Sequence, residues 1–203
     1  MIQDLIIERD APKNRQAKCT AGKEKHLTEA AVMLAFGMHL FRTLPNVRCV
    51  KIHPDGEHAK RFNIAGWLNA RGFARSESFG STSYGGTYAR DEETVVVKPL
   101  SGVGDVVAEV DGIRVVAECK GGILNTRHAG QTSKLRRGLC EAVGLLMSTP
   151  REGRQIAVVP NTETTLKLAK KLAPRARDAG IEIALVDAQG NVLEVHPQGS
   201  GLT

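Results

Sequence analysis

Residues 103–120 read VGDVVAEVDGIRVVAECK, which is two β-rich runs joined by Asp111-Gly112. An Asp-Gly pair between such runs is a strong local signal for a two-residue hairpin turn, and the turn fixes how the strands pair. If the residues that flank the turn pair with each other, Asp105 stands directly opposite Glu118. Their Cβ atoms are then about 4.5–5.5 Å apart. The stretch therefore predicts an antiparallel hairpin with two facing carboxylates.

A third charge joins this pair. Because side chains alternate along a strand, Lys120 projects from the same face as Asp105 and Glu118, while Cys119 points the other way. Facing carboxylates repel each other unless something neutralises them, and a divalent cation does so. Mg²⁺ prefers oxygen ligands and typically keeps several waters. We therefore predict a metal site at Asp105 and Glu118, and we count Cys119, which lies next to Glu118, as a further metal-site position.

The predicted metal suggests hydrolytic chemistry. A metal-bound water becomes acidic enough to act as a nucleophile, and the cation offsets charge that grows on a phosphate. Lys120 suits three roles, which are to orient that water, to modulate its ionisation or to contact the phosphate. The alternative is an exposed, charged strand face without chemistry. The apolar runs at 95–97, 106–107 and 115–116 favour a buried central sheet, where unpaired carboxylates are costly.

Length and composition limit the class of protein. A chain of 203 residues predicts a single domain at residues 23–203, preceded by an N-terminal arm at residues 1–22. A hydrophobic content of 41% and a charged content of 25% are typical of a globular protein. The net charge of +6 favours an anionic partner such as nucleic acid. The cysteines form no CxxC pair, and we predict no signal peptide or membrane span, so we expect a cytoplasmic protein.

The rest of the chain predicts an α/β (α+β) order. Apolar spacing predicts helices from Lys23 to Pro45 and from about His58 to Arg71, with a short strand at 47–52 between them. Residues 76–88 are rich in Ser, Thr and Gly, which is typical of a mobile loop that closes over a substrate. After the hairpin we predict a helix at about 131–147, a strand at 155–159, a helix at 163–179, and strands at 181–186 and 192–195.

The order Gly104-Asp105, an apolar hairpin and then Glu118-Cys119-Lys120 resembles the PD-(D/E)XK superfamily of restriction-endonuclease-like nucleases. The resemblance spans about residues 57–160, and Gly104 stands where many members carry a proline. It implies a restriction-endonuclease-like core with a central mixed β-sheet flanked by helices. It also implies a DNA endonuclease that uses Mg²⁺ or Mn²⁺, with Asp105 and Glu118 as metal ligands and Lys120 beside the attacking water.

The same resemblance suggests supporting residues. Members often add an acid from the helix before the first core strand, for which Glu57 is our first candidate and Glu29 the second. An acid near a helix N-terminus also suits a capping role. Gln131 stands where some similar nucleases carry an assisting glutamine. A homodimer would suit cleavage of both strands, although no interface can be read from the chain.

A basic stretch follows the hairpin. No acid occurs between Gly121 and Cys140, and this stretch enters the predicted helix at 131–147. We predict that five of its residues contact nucleic acid, namely Arg127, His128, Lys134, Arg136 and Arg137. The alternative is a solvated, basic helix face. The pair Gly121-Gly122 favours a close approach of the backbone to a neighbour over ordinary solvation.

Two other functions compete with the nuclease. One is a nucleic-acid-binding module on the same fold that does not catalyse, and such a protein would not need Asp105. The other is a zinc-binding protein that uses His53, Asp55, Glu57 and His58, because these residue types ligate zinc. No second half-site with suitable spacing follows in the sequence, so we rank the zinc hypothesis last.

Overall fold

The computed structural model of the protein describes residues 5–56, 61–100, 102–150 and 152–197. Within these ranges the chain is a mixed α/β structure with two sheets. The strands are β1 (Ile6–Asp10), β2 (Lys23–Leu27), β3 (Cys49–Ile52), β4 (Ala74–Ser78), β5 (Gly86–Arg90), β6 (Glu93–Val97), β7 (Val106–Val110), β8 (Ile113–Cys119), β9 (Gly122–Ile123), β10 (Arg154–Pro160), β11 (Ile181–Val186) and β12 (Val192–Glu194). The α-helices are α1 (Glu29–Thr43), α2 (Ile64–Asn69), α3 (Ala129–Met147) and α4 (Glu163–Asp178).

The larger sheet is mixed. Within the described ranges it has nine strands in the order β12-β11-β10-β8-β7-β3-β6-β5-β4. Strands β8, β10 and β11 are parallel, as are β3 and β6, whereas β7 is antiparallel to both of its neighbours. Its central strands are apolar because helices cover them, and Val106, Ala117 and Val158 are fully buried. The expectation of a central mixed sheet flanked by helices is therefore confirmed.

Helices cover the two faces of this sheet. Helix α1 packs on one face and is buried along most of its length, and the Thr28 hydroxyl caps it by accepting the Ala31 N–H at 3.2 Å. Helices α3 and α4 pack over β10 and β11, where Leu139, Ala169 and Leu185 belong to a second apolar cluster. No helix in the described part of the chain is long and apolar enough to cross a membrane.

The hairpin of β7 and β8 has the predicted register. Val110 pairs with Ile113, and Val106 pairs with Ala117. The turn residues Asp111 and Gly112 both have left-handed φ angles, 52° and 76°, as a two-residue turn with the twist of its strands requires. The paired ladder ends at Val106 and Ala117, so the two predicted carboxylates stand just beyond it.

The N-terminal segment differs from the prediction. The described part of the predicted arm contains β1, which pairs with β2, and β2 pairs with β9 to complete a three-stranded sheet. The helix predicted from Lys23 begins only at Glu29, because residues 23–27 form a strand that buries Glu24 and Leu27. This strand is too short for its alternation to stand out beside the longer helical pattern that follows it.

The loop predicted at residues 76–88 is shorter in the structure. Residues 76–78 belong to β4 and residues 86–88 to β5, so that residues 79–85 connect the two strands of a hairpin, and its outer strand β4 is an exposed edge with a polar composition. The connecting residues are anchored, because the buried Tyr88 donates its hydroxyl to the Tyr84 carbonyl at 2.8 Å. The Arg75 guanidinium donates to the Ser83 carbonyl at 3.1 Å and also to the Gly85 carbonyl.

The helix predicted from about His58 to Arg71 is shorter in the structure. Residues 57–60 lie outside the described ranges, and the described remainder forms α2, which the Asn63 side chain caps by accepting the Gly66 N–H at 2.9 Å. The elements predicted after residue 130 are confirmed, with boundaries that differ by a few residues.

Candidate active site

The ends of β7 and β8 open into a cleft of about 730 Å³. It is lined by Asp105, which directly precedes β7, by Glu118 of β8 and by Lys120, which directly follows β8. Glu29, the first residue of α1, lines the same cleft. The structure thus brings together three predicted site residues and the second candidate for the additional acid. The first candidate, Glu57, lies outside the described residues.

Asp105 is held on both its backbone and its side chain. Its N–H donates to the Ala117 carbonyl at 2.9 Å, and its carbonyl accepts the His53 N–H at 2.8 Å. Its carboxylate oxygen Oδ2 accepts the Cys119 N–H at 2.7 Å. A hydrogen bond from the backbone to a charged oxygen is short and strong, so it fixes the carboxylate across the hairpin.

Gly104 sets the direction in which Asp105 enters β7. Its φ is +91°, and a Cβ at this position would lie 2.5 Å from Cγ1 of Val116. A proline requires a φ near about −65°, so it does not fit this backbone. Glycine therefore suits the local geometry before Asp105, and proline does not.

Glu118 is destabilised as a carboxylate. Burial raises its pKa most, the charge of Asp105 and a hydrogen bond with that residue add to the rise, and the pKa reaches about 7. This value includes a smaller rise from the charge of Glu29 and a partial offset by the charge of Lys120. Asp105 and Glu118 are thus an acid pair in contact, and it is stabilised by either a proton or a cation.

Lys120 is a fixed cation at the edge of this pair. Its N–H donates to the Val158 carbonyl at 2.9 Å, and its Nζ lies 3.2 Å from Oε1 of Glu141 on α3. Burial acts to lower the pKa of Lys120, but the charge of Glu29 and the hydrogen bond to Glu141 outweigh it and raise the pKa above its ordinary value. The side chain is therefore an ammonium ion at neutral pH.

Glu29 reaches the cleft because β8 ends directly against the start of α1. A Cβ on Gly121 would lie 2.6 Å from the Glu29 nitrogen and 2.7 Å from the Leu27 oxygen. Glycine at position 121 therefore permits a close approach between the backbone and the N-terminus of α1, and this contact does not test a phosphate-binding role for the stretch.

Cys119 does not offer its side chain to the cleft. Its thiol is fully buried in the apolar cluster beneath α1, and burial raises its pKa well above the ordinary value. The predicted metal-site role for this side chain is therefore wrong, because strand alternation turns it into the core. Its contribution is the N–H that orients Asp105.

The donor set suits a hard cation with few protein ligands. No group of three or more His, Cys, Asp or Glu side chains among the described residues forms a ready-made metal cage. Mg²⁺ commonly uses one or two carboxylates and completes its shell with water and substrate phosphate. Asp105 and Glu118 supply two carboxylates in contact, so they meet this requirement, and Glu29 adds a third in the same cleft.

A second cleft of about 370 Å³ adjoins the first, and Glu29 lines both. Gln131 and Lys134, two residues predicted to support the site, line this second cleft. Residues that the sequence prediction did not include complete its basic wall, and they are Arg9, Arg15 and Arg61. For Arg9 and Arg15 the sequence signal was the density of arginine and lysine before residue 26, and no sequence feature singled out Arg61.

The other predicted nucleic-acid contacts line neither cleft. Arg127, Arg136 and Arg137 are exposed. His128 is the N-cap residue of α3, and its buried Nδ1 has no hydrogen-bond partner in the described structure. The structure does not test whether these residues contact nucleic acid.

The residues of the zinc hypothesis are only partly described. His53 is buried, its Nδ1 hydrogen-bonds to the Lys98 carbonyl at 2.6 Å, and burial lowers its pKa. Asp55 lines the first cleft, beside Asp105 and Glu118, whereas Glu57 and His58 lie outside the described residues.

Comparison with known proteins adds no assignment. No protein-family model, curated protein or solved structure matches this chain.

Proposed function

We propose that this protein is a metal-dependent endonuclease that hydrolyses phosphodiester bonds in DNA on a restriction-endonuclease-like core. The observation that carries the proposal is the contact between Asp105 and Glu118 at the end of one hairpin, with Lys120 in the same cleft. Support comes from the mixed sheet with α1 on one face and α3 on the other.

Asp105 and Glu118 would hold the ion. The raised pKa of Glu118 means that this pair gains more from a bound cation than two separate, solvated carboxylates would. When bound, a divalent cation lowers the pKa of a coordinated water and offsets negative charge on the phosphate. Glu29 supplies another carboxylate that either completes the ligand set or accepts a proton from the water.

Lys120 acts as a cation and hydrogen-bond donor. Because its pKa is raised, its ammonium does not serve as a general base at neutral pH. It donates to the attacking water or to a phosphate oxygen, and its positive charge favours ionisation of a nearby water. Nζ lies 3.2 Å from Oε1 of Glu141, and the ammonium of Lys120 would exchange this contact for a phosphate oxygen of the substrate.

The test compares cleavage by wild type with cleavage by Asp105→Asn and Lys120→Met. Linear, supercoiled, branched and single-stranded DNA are each incubated with Mg²⁺, Mn²⁺ or EDTA. We expect wild type to cut only with metal, and both variants to lose at least about a hundredfold in rate, as expected when a transition-state contact is removed.

The matched control is Glu109→Gln, because Glu109 is an exposed carboxylate on β7 that does not line the cleft of Asp105 and Glu118. It should cut like wild type. Folding is checked for every variant by circular dichroism and thermal unfolding. A folded wild-type protein that binds DNA and never cuts it would instead establish the non-catalytic nucleic-acid-binding module.

A further inference from the structure

The second cleft lies between the N-terminal sheet and α3. Arg9 of β1 and His26 of β2 stand on one wall, and Gln131 and Lys134 of α3 stand on the other. Because Glu29 lines both clefts, a chain whose reacting phosphate lies beside Asp105 and Glu118 can continue past Glu29 into this space.

The walls of the second cleft carry positive charge that can bind an anion. Arg9, Arg61 and Lys134 are exposed, and none of them takes part in an ion pair recorded within the described residues. Arg15 is different, because its Nε lies 2.6 Å from Oε1 of the buried Glu24, which fixes the guanidinium at the cleft wall. Among the described residues, the cleft therefore combines one arginine fixed by an ion pair with three cations that form none.

The first cleft is less basic on its His53 side, away from the second cleft. There His53 and Leu100 also line a groove that contains Lys51, Glu109 and Arg114. The Arg114 guanidinium lies 3.7 Å from Glu152, so part of its charge is already offset. The distribution of available cations is thus asymmetric about Asp105 and Glu118.

We infer that the cleft walled by Arg9, Arg15, Arg61 and Lys134 is a subsite for the phosphodiester backbone of the substrate, on the Glu29 side of the reacting phosphate. The inference rests on the proposed nuclease function for the position of that phosphate. Lys and Arg side chains around a groove bind successive phosphates, and each contact releases condensed counterions. The subsite therefore adds affinity without reading sequence.

Binding is measured by fluorescence anisotropy with single-stranded and duplex oligonucleotides in EDTA, so that cleavage does not enter the readout. The variants are Arg9→Gln, Arg61→Gln, Lys134→Gln and their triple combination. We expect each single variant to weaken affinity several-fold. Each should also make the slope of log K against log salt shallower by about 0.9 for duplex or about 0.7 for single strands.

Two control variants carry the same charge change. Lys51→Gln alters the groove on the opposite side, and Lys170→Gln alters an exposed position on α4. We expect less than a twofold effect on affinity from either. Inorganic phosphate and a mononucleotide serve as competitors, and both should displace the oligonucleotide no better than the same ionic strength of chloride.

Several results would overturn the inference. The control variants could weaken oligonucleotide affinity as much as the cleft variants do. Wild type could bind an acidic peptide and no oligonucleotide, or free phosphate could displace the oligonucleotide efficiently. If wild type cuts DNA and the cleft variants bind it normally, the subsite is refuted while the nuclease stands. If the cleft variants lose binding and wild type never cuts, the backbone subsite is supported and the nuclease proposal fails.

Discussion

Replacing Glu118 with glutamine is expected to stabilise the metal-free protein at pH 8. Burial first, and the charge of Asp105 second, raise the pKa of Glu118 from 4.5 to about 7. A group whose pKa is higher in the folded than in the unfolded state contributes most stability below its unfolded pKa, and this contribution is lost as pH rises through the folded pKa. The relevant window is therefore pH 4.5 to about 7, and above it the carboxylate opposes folding.

The size of the effect follows from the shift. One pKa unit corresponds to about 1.36 kcal/mol, so the rise from 4.5 to about 7 gives an upper value of about 3–4 kcal/mol at pH 8. Solvent screening at this half-buried site reduces it to about 1.5–3 kcal/mol. In a chain of this size each kcal/mol shifts the melting temperature by about 2–4 °C. At pH 5 we expect wild type and Glu118→Gln to differ by less than about 1 kcal/mol.

Mg²⁺ should stabilise wild type more than it stabilises Glu118→Gln. A ligand that binds only the folded state stabilises it, by about 2.7 kcal/mol at one hundred times its dissociation constant. Wild type should therefore gain stability with Mg²⁺, and Glu118→Gln should gain little because one anionic ligand is gone.

The assay is thermal and urea unfolding at pH 5, 6, 7 and 8, in EDTA and with a Mg²⁺ titration. Glu109→Gln is the matched control, because it removes an exposed carboxylate from the same hairpin and should not gain stability as the pH rises. A Glu118→Gln protein that is no more stable than wild type at pH 8 in EDTA would refute the view that burial and the charge of Asp105 oppose the ionisation of Glu118.

Three further substitutions test the site. Lys120→Met should lower cleavage at least about a hundredfold while DNA binding in EDTA changes less than about threefold, and an equal loss of both would contradict its role beside the reacting phosphate. Glu29→Gln should lower cleavage about 10–100-fold, measured across a Mg²⁺ titration, and wild-type rates would exclude Glu29 from the chemistry. Gly104→Ala should destabilise the fold by about 2–4 kcal/mol in urea unfolding, because of its φ and the Val116 clash, and unchanged stability would refute the steric account.

The candidate site of this protein is local in sequence, and this explains why its geometry can be predicted. Asp111-Gly112 selects a two-residue turn, and strand alternation then determines which side chains share a face. Asp105, Glu118 and Lys120 therefore follow from residues 103–120 without knowledge of the rest of the fold. The same alternation buries the thiol of Cys119, so the side chain of this predicted metal-site position is not a ligand in the cleft.

The surroundings of that centre depend on contacts between distant parts of the chain. Leu27 pairs with Gly122, and Gly121 lies against the start of α1, so Glu29 is carried to the cleft by the three-stranded sheet. No periodicity in residues 5–29 reveals which distant strand completes β1 and β2. The resemblance therefore ranked Glu29 second among the acids, behind Glu57.

The sequence by itself determined the hairpin, its register and the facing carboxylates, because hydrogen bonding across a two-residue turn and alternation of side chains are short-range effects. Only the tertiary structure decided that α1 supplies Glu29, that Lys120 is paired with Glu141 and that a basic cleft adjoins the site. The physical reason is that burial and charge at a site are sums over all elements packed around it. Those sums exist only once the chain has folded.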